Sequence, residues 1–447
     1  MQSLLDDAAR RAIRYLAGLA ERSVAPAPAA VARLAELGGP LPDAPQAAGE
    51  TLRLLDEIGS PATVASAGGR YFGFVIGGAL PVSVASHWLA TAWDQNAALQ
   101  APAPATAAVE AIALRWLLEL LGLPPDAAGA FVTGATMANF SALAAARHAV
   151  LERVGWSVEA DGLAGAPPVT VVVGDEAHPT LMKSLGLLGF GRKRLVRVPV
   201  DAQGRMRADA FPRIEGPAIV CLQAGNVNSG AFDPCGELVP LARAAGAWVH
   251  VDGAFGLWAA ASPAFAPLVR GLADADSWAT DAHKWLNVPY DCGLAFVRDA
   301  DALRGAMSVS ADYLPPGDAR NPSDYTPELS RRARGVDVWA ALRTLGRGGT
   351  AALVDDCCRH ARRFARELAA AGFEILNEVV LNQVVVSFGT PEQTTRAIDA
   401  LQADGTCWCG QTRWQGRVAM RISVSSWATT DEDVTRSIAA MLRVARA

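Results

Sequence analysis

The sequence predicts an α/β fold: a mostly parallel sheet with helices on both faces, a helical arm before it and a smaller α+β domain after it. Three observations carry this. Apolar runs of strand length alternate with helical patterns up to about residue 300, the signature of βαβ units. Residues 248–251 read as a short buried strand with an acid, Asp252, at its C-terminal end, where ligands sit in open α/β sheets. The last hundred residues alternate helices and strands again, enough for a second layer of their own. A length of 447 residues suits two or three domains.

In chain order, residues 1 to about 60 read as helices, because Leu4, Leu5, Ala8, Ile13, Leu16 and Leu19 fall near helical spacing. Residues 70–78 form an extended apolar segment closed by a glycine pair, read either as a pocket wall or as a core strand and turn; Trp88 and Trp93 beyond it read as packing. Residues 105–121 make an amphipathic helix carrying Glu110. At Thr133-Gly134-Ala135-Thr136 a turn of small residues feeds an Ala-rich helix, so free N–H groups and the helix dipole converge on an anion site. A simple N-cap by Thr136 is the competing reading. Residues 169–173 are a strand; His178 follows it and starts a helix with Thr180 and Lys183. Residues 218–222 are another strand, leading to Asn226 and Asn228, where Asx-turn chemistry competes with a ligand role. Residues 301–329 start with a short helix and turn loop-like around Tyr313 and Tyr325. A helix starts at Asp337; helices at 352–371 and 394–403 and strands at 382–388 and 417–424 complete the tail.

The chemistry concentrates on Asp281-Ala-His283-Lys284-Trp285. A lysine in apolar surroundings loses solvation of its ammonium, so its pKa falls and its amine becomes nucleophilic. Such an amine forms a Schiff base with an aldehyde, and an acid at a strand end holds a protonated pyridine nitrogen. Asp252 and Lys284, 32 residues apart, together describe a site for pyridoxal 5'-phosphate (PLP).

The Asp252-Gly-Ala254 and His283-Lys284-Trp285 motifs resemble the group II PLP-dependent amino acid decarboxylases, the aromatic-L-amino-acid and glutamate decarboxylase-like members of the aspartate aminotransferase superfamily. That resemblance implies fold type I with a seven-stranded sheet. It divides the chain into an arm and substrate-pocket segment (1–100), a large PLP-binding domain (101–305) and a catalytic loop with a small domain (306–447). It implies that Lys284 holds PLP and Asp252 its ring nitrogen. Small Ala254 lies under the ring and His178 stacks on it. Gly134, Ala135 and Thr136 take the phosphate, and His283 assists there or at the lysine. Asn226 or Asn228 reaches the phenolate oxygen, and Phe74 and Gly77 line the substrate pocket. It also makes Tyr325 the mobile-loop group that protonates Cα, unless that tyrosine merely packs. Arg331 and Arg332 read as salt-bridge partners. Arg421 reads as a carboxylate contact or as the partner of a core acid. Asp281 departs from the resembling pattern, where asparagine is common, and a carboxylate beside a phosphate dianion repels it.

A net charge of −5 gives no basic footprint for nucleic acid. No apolar run reaches the roughly 18 residues of a membrane span, and the start lacks a signal-peptide pattern. Seven cysteines, an odd count, read as reduced thiols of a cytoplasmic protein. Cys407-Trp-Cys409 lacks zinc spacing, so no metal is expected. The arm's apolar face needs burial, and the resemblance implies a homodimer with the active site shared between subunits. The expected reaction is decarboxylation of an L-amino acid to the primary amine and CO2. Phe74, Val75 and Ile76 favour an aromatic or other apolar side chain. The alternatives are aldehyde synthesis, transamination or aldol-type cleavage on the same scaffold, or decarboxylation of an acidic amino acid.

Overall fold

A computed structural model describes residues 1–309 and 320–446. Tyr313 and its neighbours in the loop-like stretch lie outside the described residues.

The large sheet has seven strands: β1 (Ala128–Val132), β2 (Thr170–Gly174), β3 (Val196–Val198), β4 (Ala218–Gln223), β5 (Trp248–Asp252), β6 (Ser277–Asp281) and β7 (Gly293–Val297). Their spatial order is β1-β7-β6-β5-β4-β2-β3. β6, β5, β4, β2 and β3 pair in parallel, and β7 runs antiparallel to both its neighbours. Every residue of β4, β5, β6 and β7 is buried. That is why these strands read as near-continuous apolar runs rather than alternating ones: helices cover both faces. Gln223 and Asp252 end side by side at the C-terminal ends of β4 and β5, and β6, whose Ala279 pairs with Asp252, runs two residues further to Asp281.

The helices around it are α1 (Gln2–Ala17), α2 (Pro81–Trp93), α3 (Pro104–Leu120), α4 (Ala135–Glu152), α5 (Pro179–Leu187), α6 (Cys235–Ala244), α7 (Ala300–Met307), α8 (Arg334–Ala370), α9 (Pro391–Asp404) and α10 (Asp431–Ala445). α4 crosses β5, β6 and β7; its alanines let the helix approach the sheet closely. A second sheet, β10 (Gly410–Trp414), β11 (Arg417–Ser423), β9 (Gln383–Ser387) and β8 (Glu374–Ile375) in that order, is antiparallel throughout and packs on α8 and α9. Trp248, Trp258, Trp278 and Trp285 are fully buried. Truncating one such side chain costs roughly 3–5 kcal/mol.

The structure departs from the sequence reading in four places. Residues 70–78 form no strand; Tyr71 makes one bridge to Trp408, and Phe74 and Val75 turn the chain with φ of 52° and 58°. Trp88 and Trp93 are 44% and 45% exposed instead of packed. The helices expected at Asp337 and residue 352 are one run, α8, broken at Gly346 (φ 61°, ψ −173°). The strands β3, β8 and β10 gave no signal, because they are two to five residues long and partly exposed.

α1 is tied to the following helical segment by Arg11 and Arg14, which both pair with Asp56, while Leu5, Ile13 and Leu16 remain exposed. Among the described residues no helix is long and apolar enough to cross a membrane. All seven cysteines are free and buried.

Candidate active site

The site is built on strand ends and helix starts. Asp252 closes β5 and is 3% exposed. Its Oδ2 accepts from Asn139 Nδ2 at 3.1 Å and its Oδ1 from the Ala254 N–H at 3.3 Å. Burial raises the Asp252 pKa above the usual carboxylate range, and His178, when protonated, and Lys284 oppose that rise.

His178 is the N-cap of α5. Its Nδ1 accepts the Thr180 N–H at 3.3 Å, which leaves the hydrogen of the neutral ring on Nε2. Burial pushes the His178 pKa down against the opposing pull of Asp252, and Lys284 and Arg421 push it further down.

Lys284 lies on the turn after β6. Backbone packing fixes that turn: a Cβ at Gly77 would stand 1.9 Å from the Lys284 carbonyl oxygen. Asn287, at φ 57°, donates to the carbonyls of Trp285 (2.7 Å) and Ser425 (3.0 Å) and accepts from the Trp427 N–H (2.8 Å). The expected apolar setting of the lysine is not what the fold provides. Lys284 Nζ lies 3.0 Å from Asp281 Oδ2. Asp281 does not turn away: its Oδ1 accepts the Ala135 N–H at 2.6 Å and lies 3.6 Å from His283 Nε2. His283 Nδ1 accepts the Cys292 N–H at 3.1 Å, so its Nε2 carries the hydrogen that faces Asp281.

The turn of small residues opens α4, without the hydroxyl cap of the competing reading. Gly134 is the N-cap, no side chain caps the helix, and the first helix-type bond runs from Ala138 to Gly134. Among the described residues the N–H groups of Thr136 and Met137 have no partner. A Cβ at Gly134 would press on His283 and Asp281 at 3.3 and 3.4 Å. A carboxylate, that of Asp281, already takes the Ala135 N–H, as expected where a helix dipole favours negative charge.

A cavity of about 230 Å³ lies over these groups. Of the predicted residues it brings together Phe74, His178, Asp252, Ala254 and Lys284. It includes Val75 and Arg421, both named in the sequence reading, and adds Gln223, Gly225, Val227 and Phe255. Arg421 donates to the Val227 carbonyl at 3.0 Å and pairs with no core acid among the described residues, so of its two expected roles the cavity contact is the one with a place in the fold. Gln223 and Phe255 gave no sequence signal. Asn139 lies three residues beyond the turn of small residues at 133–136.

Seven predicted residues do not line this cavity: Gly134, Ala135, Thr136 and His283, which are grouped about the start of α4 and Asp281, and Gly77, Asn226 and Tyr325. Gly77 supports the backbone of Lys284 rather than the pocket wall. The Asn226 side chain is used up in a turn: its Oδ1 accepts from the N–H groups of Asn228 and Ser229, and its Nδ2 donates to Glu176. Asx-turn chemistry has displaced the ligand role there, and Asn228 is engaged with Thr412. Tyr325 sits on a short turn (Pro322–Tyr325), packed on the cluster of Ala130, Val132 and Ala138, with the Arg320 guanidinium 4.4 Å above its ring. Arg331, expected to be structural, forms a buried pair with Glu110 at 2.7 Å.

These groups fit PLP. They are a lysine amine and a buried carboxylate on one cavity, a small residue beside the acid, an imidazole N–H, and a helix start with free N–H groups.

Comparison with known proteins agrees. The chain shares 30% identity over 304 residues with tryptophan decarboxylase 1 of Oryza sativa subsp. japonica, which covers 62% of this chain and 58% of that protein. It thus spans little more than half the length of that relative. It shares 30% identity over 377 residues with L-2,4-diaminobutyrate decarboxylase of Rhizobium meliloti (strain 1021), 79% of this chain and 72% of that one. The fold matches the crystal structure of Oryza sativa TDC with PLP and tryptamine at a TM-score of 0.91 and 24% identity, over 100% of this chain and 97% of the other. Residues 68–389 match the model of the pyridoxal-dependent decarboxylase conserved domain. With Asp252, Lys284, His178 and the α4 cradle gathered at one sheet edge, the chain belongs to the pyridoxal-dependent decarboxylase family, whose cofactor is PLP.

Proposed function

We propose that this chain decarboxylates an L-amino acid, with an aromatic or other apolar side chain, to the primary amine and CO2. The observation that carries the reading is Lys284 and Asp252 opening onto one cavity whose remaining wall includes Phe74, Val75, Val227 and Phe255. PLP, when bound, supplies a sink for the electron pair left on Cα as the carboxylate departs.

The chain's own residues do the rest. The Lys284 amine would anchor the cofactor's aldehyde carbon, and Asp252 would keep its ring nitrogen charged. The unpartnered N–H of Thr136, with Gly134 giving room, would hold its phosphate, joined by the Ala135 N–H once Asp281 gives it up, and His283 Nε2–H points to the same place. Ala254 leaves space beside Asp252 for a flat ring. His178 Nε2–H donates into the cavity, and Arg421 offers a guanidinium for a substrate carboxylate. The apolar wall excludes water, which strengthens each of these charged contacts.

The same reading retains the division at 1–100, 101–305 and 306–447 and a homodimer sharing its active site. The dimer is supported by exposed apolar side chains on the arm and α2: Leu5, Ile13, Leu16, Leu55 and Trp88. Seven free thiols suit the reducing cytoplasm.

The test is turnover of a panel of L-amino acids, with amine and CO2 both quantified. No release from any aromatic or apolar substrate by PLP-loaded protein would end the proposal. A second reading, conversion to the aldehyde, is favoured by the place of Tyr325 outside this chain's cavity wall. Aldehyde, ammonia and peroxide in place of the amine would decide for it.

A further inference from the structure

Behind Asp252, on the side away from the cavity, runs a chain of hydrogen bonds that the reaction itself does not use. Trp248 Nε1 donates to Ser277 Oγ at 2.8 Å. Ser277 Oγ lies 2.9 Å from His250 Nδ1. His250 Nε2 lies 2.8 Å from Asn139 Oδ1, and Asn139 Nδ2 lies 3.1 Å from Asp252 Oδ2. All five residues are buried: Asn139, His250 and Ser277 are 0% exposed, Trp248 1% and Asp252 3%.

The direction of this chain follows from its first member. An indole N–H only donates. Ser277 Oγ therefore accepts from Trp248, and its own buried hydrogen finds an acceptor only at His250 Nδ1, the one other partner it has among the described residues. A neutral imidazole with Nδ1 accepting carries its hydrogen on Nε2. The Asn139 oxygen must face that hydrogen, which turns its NH2 toward Asp252. In this direction every hydrogen along the chain has an acceptor. The result is a donor aimed at Asp252 Oδ2, so that oxygen cannot itself carry a proton. Burial holds the His250 pKa down to about 3, in keeping with a neutral ring.

We propose that Asn139 and His250 are positioning residues: through this one-way chain from Trp248 they keep Asp252 an acceptor-only carboxylate, and so keep the cofactor's ring nitrogen protonated. The inference rests on the PLP reading above. It assigns a task to residues that a purely structural polar cluster would leave interchangeable. A bare carboxylate is the form that burial disfavours at Asp252, and a charge-assisted bond from Asn139 offsets that cost.

The experiment has two arms. In the first, wild-type protein labelled isotopically at histidine nitrogen is observed by NMR before and after PLP is added. His250 is expected as the Nε2–H form in both states; the Nδ1–H form would overturn the proposal without any mutation. Trp248→Phe removes the donor that sets the direction, and a mixture of the two forms is expected. In the second arm, the protein is loaded with PLP labelled at its ring nitrogen. His250→Gln keeps an N–H donor near the Nε2 position and should retain the protonated ring signal. Asn139→Leu should move that signal toward unprotonated pyridine and weaken PLP binding about tenfold. An unchanged ring-nitrogen signal in folded Asn139→Leu protein would overturn the proposal. If wild-type protein takes up no PLP, the functional reading fails, while the histidine arm still judges the direction of the chain.

Discussion

Two of the buried acid–cation pairs among the described residues do opposite things. Glu110 and Arg331 join across 221 residues of chain at 2.7 Å, with side chains 1% and 0% exposed. The same guanidinium also donates to the carbonyls of Ala97 and Phe131. The pair thereby pins α3, the segment before it and β1 to one point. Asp281 and Lys284 join across three residues at 3.0 Å, and the lysine side chain keeps 19% of its surface open to the cavity. An ammonium has three hydrogens, and here one acceptor takes up one of them. A buried pair whose two terminal guanidinium nitrogens are both bonded inside the protein locks a fold; one that faces a cavity with donors to spare holds a reactive group ready.

The comparison breaks most visibly at the lysine. Lys284→Ala should lower turnover by at least about 10⁴-fold while the protein melts within a few degrees of wild type. Steady-state rates and a thermal melt of the same sample check both halves. A variant that unfolds instead would mean that the second pair, too, is a lock.

Arg331→Met is the converse. It leaves buried Glu110 with only the more distant Arg320, 3.6 Å away, and the expected loss of stability is about 3 kcal/mol in denaturant unfolding, with near-normal turnover per folded molecule. A loss below about 1 kcal/mol would remove the contrast.

Next in size is a pH effect. His250 has a folded pKa of about 3 against an ordinary value of 6.5. Below 6.5 the unfolded chain gains a proton there that the folded chain refuses, so stability falls as pH falls. Relative to His250→Gln, which cannot titrate, wild type should lose about 1.4 kcal/mol per pH unit between pH 6.5 and about 5. Urea unfolding of both proteins across that window reads the slope, and parallel curves would refute it.

The smallest effect is at Asp281. Its carboxylate sits at the helix start where a phosphate dianion would add more negative charge. Asp281→Asn should therefore tighten PLP binding a few-fold, measured by titration of the apoprotein. Weaker binding would show that the carboxylate assists the cofactor.

The acid at the end of β5, the lysine after β6, the small-residue turn before α4 and the histidine before α5 were all legible as residue patterns, since each follows or opens a regular element. Gly77 and Asn226 were legible as unusual residues but not as to their task. One packs on a carbonyl more than two hundred residues away, and the other builds its own turn. Tyr325 was placed by its neighbours in sequence, while its ring is placed by Arg320 and β1.

By itself the sequence determined the alternation of elements and the types of reactive group, because periodicity and residue chemistry are local. The tertiary structure alone decided that Asp281 faces Lys284 rather than away, that Arg421 reaches the cavity, and that a tryptophan four residues before Asp252 governs that carboxylate through a helix that starts more than a hundred residues earlier. Direction and distance between side chains are properties of packing, and packing joins residues that no sequence window contains.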